Sequence, residues 1–346
     1  MRLHVDLSGA RLRAPFVSAQ GSVTQRDFVV VRLEGADRAV GFGEAAPLGV
    51  PAHDVVVALE GCREVLAESD GHDRDEVLAA CWDLAVMPEA VAAIDLALWD
   101  LAGHRAGAPV WRLLGADASP PVEVNATIAA PDRAGASAQA AEARAAGFRA
   151  MKVKVGIGDD AGRLAAVRSL AGPETAIRID ANGGWSPAEA LASLRAFEPV
   201  GIELCEEPAG GLEAIAGVSA ETPVPVAIDE TVLEPGALDA RACNAVCLKI
   251  ASSGGISALI ETARRARSVG YEVYLASLLD GPLGIAAALH AAAIVRPDRF
   301  CGLATLGLFE GRIDPLPPAA GRMPVPSGTG LGERLMPWYT SGMFAS

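Results

Sequence analysis

No stretch of this 346-residue chain approaches the roughly 18 consecutive apolar residues of a membrane-spanning helix. The opening MRLHVDLSGARLRAPF also has no apolar run between its early basic residues, so neither a membrane protein nor a secretory leader is expected, and the reading is cytoplasmic. Positive charge is scarce as well: 29 Lys+Arg face 43 Asp+Glu, a formal charge of −14. A nucleic-acid partner, which needs a basic face, is thereby disfavoured. Any anionic substrate must be met by local positive charge or by a metal. Six cysteines lie in Ala- and Val-rich segments without CxxC spacing, as buried reduced thiols do, and no His stands near Cys243 and Cys247 to suggest zinc. What the chain does have is 51% hydrophobic residues, enough for one large core or two medium ones.

Residues 1–50 alternate apolar and polar positions, notably in Asp27–Leu33 and Val40–Glu44 around the turn Gly35-Ala36-Asp37, which predicts an antiparallel meander. Helical spacing follows over about 53–67, 73–85 and 88–106, the last with Val91, Ile94, Leu98 and Leu101 on one face. Sheet followed by helices is an α+β arrangement. From about Pro120 eight short apolar strands alternate with Ala-rich helices: 122–128, 150–155, 177–181, 202–205, 224–228, 245–250, 272–276 and 301–304. Ser186-Pro187-Ala188-Glu189 carries the signature of a capping box, and Gly147, Gly172 and Gly270 sit just past helix ends. Because no GxGxxG turn follows the first of these strands, a closed parallel barrel is favoured over an open doubly wound sheet. Chemistry in such a barrel belongs at the C-terminal ends of its strands.

Polar residues collect at those ends. Lys152 and Lys154, two apart on one strand, point to the same face, away from Met151, Val153 and Val155. Asp180, Glu206 and Asp229 end the next three strands, and Lys249 ends the sixth. A KxK pair alone is an ordinary surface-strand pattern, and a lone strand-end carboxylate is often a helix cap; five consecutive strand ends bearing such groups are much harder to assign to structure alone. Three converging carboxylates repel unless a hard dication such as Mg²⁺ compensates them, and a lysine beside that ion and another ammonium has its neutral form favoured as a base. Glu207 and Glu230 compete with their neighbours as ligands, though strand alternation lets only one of each pair face inward.

Lys152-x-Lys154, Asp180-Ala-Asn182, Glu206-Glu207-Pro208, Asp229-Glu230 and Lys249 together resemble the enolase superfamily, in its muconate-lactonizing-enzyme subgroup, over nearly the whole chain. The resemblance implies an α/β fold: a modified (β/α)₇β TIM-type barrel at 116–317 under an N-terminal α+β capping domain at 1–115, joined by the C-terminal tail at about 318–346. It implies Asp180, Glu206 and Asp229 as ligands of Mg²⁺, with Mn²⁺ as a substitute, Lys154 as general base, Lys152 beside the substrate carboxylate and Lys249 on the opposite face. A small-molecule carboxylate substrate and a homo-oligomer are likewise implied.

The segment Ala276–Ala287 looks most like o-succinylbenzoate synthases of menaquinone biosynthesis, which implies syn-dehydration of 2-succinyl-6-hydroxy-2,4-cyclohexadiene-1-carboxylate. N-acylamino acid (N-succinylamino acid) racemase is the alternative, followed by dipeptide epimerase and muconate cycloisomerase. Dipeptide epimerases usually end the eighth strand with Asp-x-Asp to bind an ammonium, whereas Cys301–Thr305 here has no acid. Substrate contacts are expected from Phe16 and Ser18 in the cap segment 14–21, from the loop after Glu44, and from Asn182, Ser277, Asp280 and Gly302. Histidines, His290 included, read as packing or surface residues. Two other classes compete: a Schiff-base lysine barrel of the aldolase type and an inactive binding protein.

Overall fold

The computed structural model describes residues 1–340; the last six residues of the tail expected at 318–346 lie outside the described residues. Arg2–Ser18 and Gly21–Glu34 form one long antiparallel hairpin, and Val40–Ala45 pairs with its second strand. The cap segment 14–21 is thus the tip of that hairpin, beyond a register shift between Arg11 and Phe16. The middle strand is buried on both sides: Val29, Val31 and Leu33 pack with the cap helices, while Phe28 and Val30 join the larger core. That explains the unbroken run Phe28–Val31, since a strand covered on one side only would alternate.

The helix expected over 53–67 is two, Ala52–Gly61 and Arg63–Glu68, joined at Cys62. Asp73 caps Arg74–Ala85 by accepting from the Asp75 and Glu76 N–H groups. Pro88–Ala106 begins with proline and ends at Gly107, whose φ of 61° suits the left-handed cap. This helix lies against Val40–Ala45 so closely that a Cβ on Gly41 or Gly43 would collide with the Ala97 or Ala93 carbonyl. The two glycines therefore set the distance between helix and sheet.

Seven parallel strands follow in sequence order: Ala126–Ile128, Ala150–Lys154, Ala176–Asp180, Ile202–Glu206, Val226–Ile228, Ala245–Lys249 and Glu272–Ala276. The sheet curls, and its two edges meet through Cys301, bridged to Val124, and Gly302, bridged to Ala276. The expected eighth strand at 301–304 is reduced to these two residues because the chain then turns into a short 3₁₀ segment at Leu306–Leu308. The expected first strand divides too, since Val122–Glu123 leaves the barrel to pair antiparallel with Arg322–Met323. Around the sheet, Ser186 and Glu189 complete the anticipated reciprocal cap.

Cap, barrel and tail converge at one place. Phe28, Phe309, Trp338 and Tyr339 stack edge to face with centroids 5.1 to 6.0 Å apart. Beside them buried Glu44 accepts hydrogen bonds from the Tyr339 hydroxyl and, at 2.7 Å, from the Gly281 N–H. Burial, reinforced by the charge of Asp280, pushes the Glu44 carboxyl up to about 8. Glu44 precedes the cap loop carrying Leu48, and Asp280 follows Leu279, so this junction holds two rims of the barrel mouth together.

Candidate active site

Parallel register brings the charged strand ends to one height: Lys152 lies opposite Arg178, Lys154 opposite Asp180 and Asp180 opposite Glu206. Lys152 Nζ is 2.6 Å from Glu206 and 2.8 Å from Asp180; Lys154 Nζ is 2.6 Å from Asp180 and 2.8 Å from Asn182 Oδ1. Across the barrel, Lys249 Nζ is 2.6 Å from Asp229. All six charged side chains are buried. Asn182 turns the chain at φ 44°, which brings its amide back to Lys154.

The electrostatics follow from this crowding. Burial would raise the Asp180 pKa, but Lys152 and Lys154 outweigh it and hold the carboxyl well below the usual range. At Glu206 burial prevails over Lys152, and the group is pushed up to about 7. Burial opposes charge on Lys152 and Lys249; Asp180 with Glu206, and Asp229 with Glu230, outweigh it and hold both ammonium groups above the ordinary lysine value. For these two lysines the protein's own carboxylates work against the lowering expected near a dication.

Of the adjacent acids, Glu207 faces outward and accepts from the Asp229 and Thr231 N–H groups and the Thr231 hydroxyl. It holds the loop and is set apart from the strand-end cluster. Glu230 behaves otherwise: it lines the same cavity as Asp229, 3.9 Å from Lys249 and 3.3 Å from the Asn182 amide. Alternation fails there because the strand ends at Ile228 and a 3₁₀ turn begins at Glu230.

A cavity of about 280 Å³ opens above these groups. The expected contacts Phe16, Ser18, Asn182, Ser277 and Gly302 all line it, together with Lys152, Lys154, Asp229 and Lys249. The ring of Phe16 lies 5.6 Å from Lys154 Nζ. Asp280 is the exception among the anticipated contacts. Its carboxylate is buried outside the cavity lining, in the electrostatic field of Arg26 and beside Glu44 at the cap junction.

Several contributors escaped the sequence reading. Tyr274 donates to Glu206 Oε2 at 2.7 Å from below the cluster. It lies two residues before Ala276 on the seventh strand, and that spacing alone would have turned it inward. Arg26, buried, donates to the Ala46 and Pro47 carbonyls and so fixes the loop that carries Leu48. Thr127, Val23, Leu279 and Thr305 belong to the neutral part of the wall, with no sequence signal to distinguish them.

Glu206 and Asp229 oxygens lie within 4.8 Å of one another, and Asp180 is buried in register beside Glu206; carboxylate oxygens of this kind fit a hard dication such as Mg²⁺. A family model described as mandelate racemase / muconate lactonizing enzyme, N-terminal domain, matches residues 3–115, and one described as enolase C-terminal domain-like matches 119–337. The chain belongs to the enolase superfamily. Within it, an L-Ala-D/L-Glu epimerase of Clostridium acetobutylicum is 34% identical over 301 residues, 82% of this chain and 84% of the relative. An o-succinylbenzoate synthase of Mycobacterium bovis is 38% identical over 228 residues, 62% and 67% of the two chains. The crystal structure of a dipeptide epimerase from Cytophaga hutchinsonii, complexed with Mg and D-Ala-L-Val, superimposes with a TM-score of 0.88 at 26% identity, covering 97% of this chain and 98% of that one. Superfamily membership makes the protein an enzyme. No helix among its described residues is long and apolar enough to cross a membrane.

Proposed function

We propose that this enzyme is a Mg²⁺-dependent racemase or epimerase that moves the proton α to a carboxylate in substrates whose amino group is acylated, the N-succinylamino acids being the expected class. The observation that carries the reading is that Lys154 and Lys249, from strands on opposite sides of the barrel, enter one cavity whose remaining wall is largely neutral. Asp180, Glu206 and Asp229 would hold the ion, which when bound supplies positive charge at the substrate carboxylate as the α-proton leaves. Lys152 adds a positive charge beside that carboxylate. One lysine, as the amine, takes the α-proton from one face; the other, as the ammonium, returns a proton to the opposite face, and the configuration inverts. Asn182 holds Lys154 at the station from which it reaches the substrate. The cap at 1–115 with the tail closes over the catalytic barrel at 116–317, and Phe16, Ser18, Ser277 and Gly302 meet the far end of the substrate.

The similarity to epimerases supports inversion, and the absence of any acid over Cys301–Thr305 argues against a free ammonium on the substrate. A second reading, the o-succinylbenzoate synthase one, rests on the 38% identity to that relative and uses Lys154 alone for proton transfer. Polarimetry of an N-succinyl-L-amino acid with Mg²⁺, run beside an L,L-dipeptide and the absorbance of the cyclohexadiene substrate, tests both. Inversion of the acylated substrate supports the proposal. Dehydration without inversion would favour the synthase, and borohydride trapping of a lysine adduct with neither activity would move the barrel to the aldolase class.

A further inference from the structure

The barrel interior holds a second donor set that overlaps the first. Cys247 lies two residues before Lys249 on the sixth strand, so its side chain shares the inward face, and its register partner is Tyr274. Its sulfur, a Glu206 oxygen and an Asp229 oxygen lie within 4.8 Å of one another, all three residues buried. Asp180, drawn to both lysines, falls outside that triangle. Among the described residues the Cys247 thiol, like that of Cys205, makes no hydrogen bond, whereas the Cys62, Cys243 and Cys301 thiols each donate to a carbonyl; of the two, only Cys247 stands within 4.8 Å of both Glu206 and Asp229 oxygens. A buried, unpartnered sulfur aimed at two carboxylates is an arrangement a hard cation does not use.

From this geometry we infer that Glu206, Asp229 and Cys247 form an inhibitory site for a thiophilic dication such as Zn²⁺ or Cd²⁺, which competes with Mg²⁺ for the two shared carboxylates. The inference rests on the Mg²⁺ assignment of the preceding subsection. Magnesium prefers octahedral oxygen ligation, whereas zinc accepts one sulfur and two oxygens with a fourth position left for water. Ligation forms a metal–sulfur bond, and the thiol proton leaves to solvent. An ion held by Cys247, two residues before Lys249 on its strand, would be drawn away from the strand ends where the substrate carboxylate is expected, so the loaded enzyme would be inactive.

Cadmium is the probe, because a cadmium–thiolate bond absorbs in the ultraviolet. Titration of the reduced, metal-stripped enzyme with Cd²⁺ should produce one equivalent of that absorbance, and millimolar Mg²⁺ should remove it. The buried cap pair Cys62 and Cys81 could bind cadmium independently, but such a signal would not respond to Mg²⁺. Cys247→Ser and Cys247→Ala should lose the Mg²⁺-sensitive absorbance and weaken Cd²⁺ inhibition at least tenfold, with the activation constant for Mg²⁺ within threefold of wild type. If no part of the absorbance is displaced by Mg²⁺, or if a Mg²⁺-sensitive part survives both substitutions, the inference is overturned. Should one variant not fold, the displacement experiment on the wild type decides alone. A failure of the Mg²⁺ assignment is distinguishable, because Mg²⁺ would then neither activate the enzyme nor displace cadmium.

Discussion

Replacing Lys249 by glutamine separates inversion from proton removal. The substitution keeps most of the side-chain volume but removes the ammonium 2.6 Å from Asp229. If Lys249 serves one face of the substrate, inversion loses a general acid–base group, which costs about 10²–10⁴ in rate, or about 3–5 kcal/mol of transition-state stabilisation. Lys154 is untouched, so the enantiomer whose α-proton faces it should still exchange that proton with solvent. In D₂O, proton NMR should therefore show wild-type enzyme exchanging and inverting both enantiomers of an N-succinylamino acid. The variant should exchange one enantiomer with retention and leave the other inert. Unpairing buried Asp229 also destabilises the fold by up to about 3–5 kcal/mol, so circular dichroism must show the variant folded at the assay temperature. Inversion retained within tenfold of wild type would refute the two-lysine reasoning, as would equal loss of exchange for both enantiomers in a folded variant.

Tyr274→Phe removes a buried hydrogen bond to Glu206, worth about 1.5–3 kcal/mol for a charged acceptor; calorimetric titration should show Mg²⁺ binding weakened roughly tenfold to a hundredfold. Gly43→Ala places a methyl against the Ala93 carbonyl. Overpacking of this kind costs about 1–3 kcal/mol, read as a lower Tm with kcat little changed. His290 is buried as a neutral ring, Nδ1 accepting from the Trp111 N–H and Nε2–H donating to the Leu331 carbonyl, each at 3.1 Å, and burial lowers its pKa to about 4. The unfolded chain then binds the extra proton between about pH 6.5 and 4, so stability from this group falls as pH drops through that window, by about 3 kcal/mol in all. Denaturant unfolding across that range should show a shallower acid slope in His290→Gln; an unchanged slope contradicts the assignment.

The barrel was legible because short apolar strands alternate with Ala-rich helices, several of them closed by glycine, and because Lys152, Lys154, Asp180, Glu206, Asp229 and Lys249 fall at or just past successive strand ends. Those signals are local. Where the chain departs from the period, the reading slipped: Val122–Glu123 leaves the barrel for a pairing with Arg322–Met323 some 200 residues away, which no local pattern encodes. Glu206, the last residue of an intact strand, turns to the lysines and Glu207, just beyond it, turns to the Asp229–Thr231 loop, as alternation expects. Alternation did not sort Asp229 from Glu230, because it ends where the 3₁₀ turn begins. Asp280 follows a lining residue, Leu279, held at φ 60°, and this left-handed turn sends the carboxylate toward the cap. Arg26 holds the Ala46 and Pro47 carbonyls of a loop about 20 residues further on, and only tertiary structure reveals that partnership.

On the proposed function, this barrel removes an α-proton from acylated amino acids with magnesium and two opposed lysines. Its most direct test is α-proton exchange of N-succinyl-L-amino acids in D₂O, with Mg²⁺ and after chelation, beside free-amine L,L-dipeptides of the same residues. Rapid exchange with inversion that chelation abolishes is expected, with dipeptide exchange slower by about 10² or more, the penalty of about 3 kcal/mol for an ammonium that meets no acid at 301–305. Dipeptides exchanging as fast as the acylated compounds, or exchange that survives chelation, would contradict it.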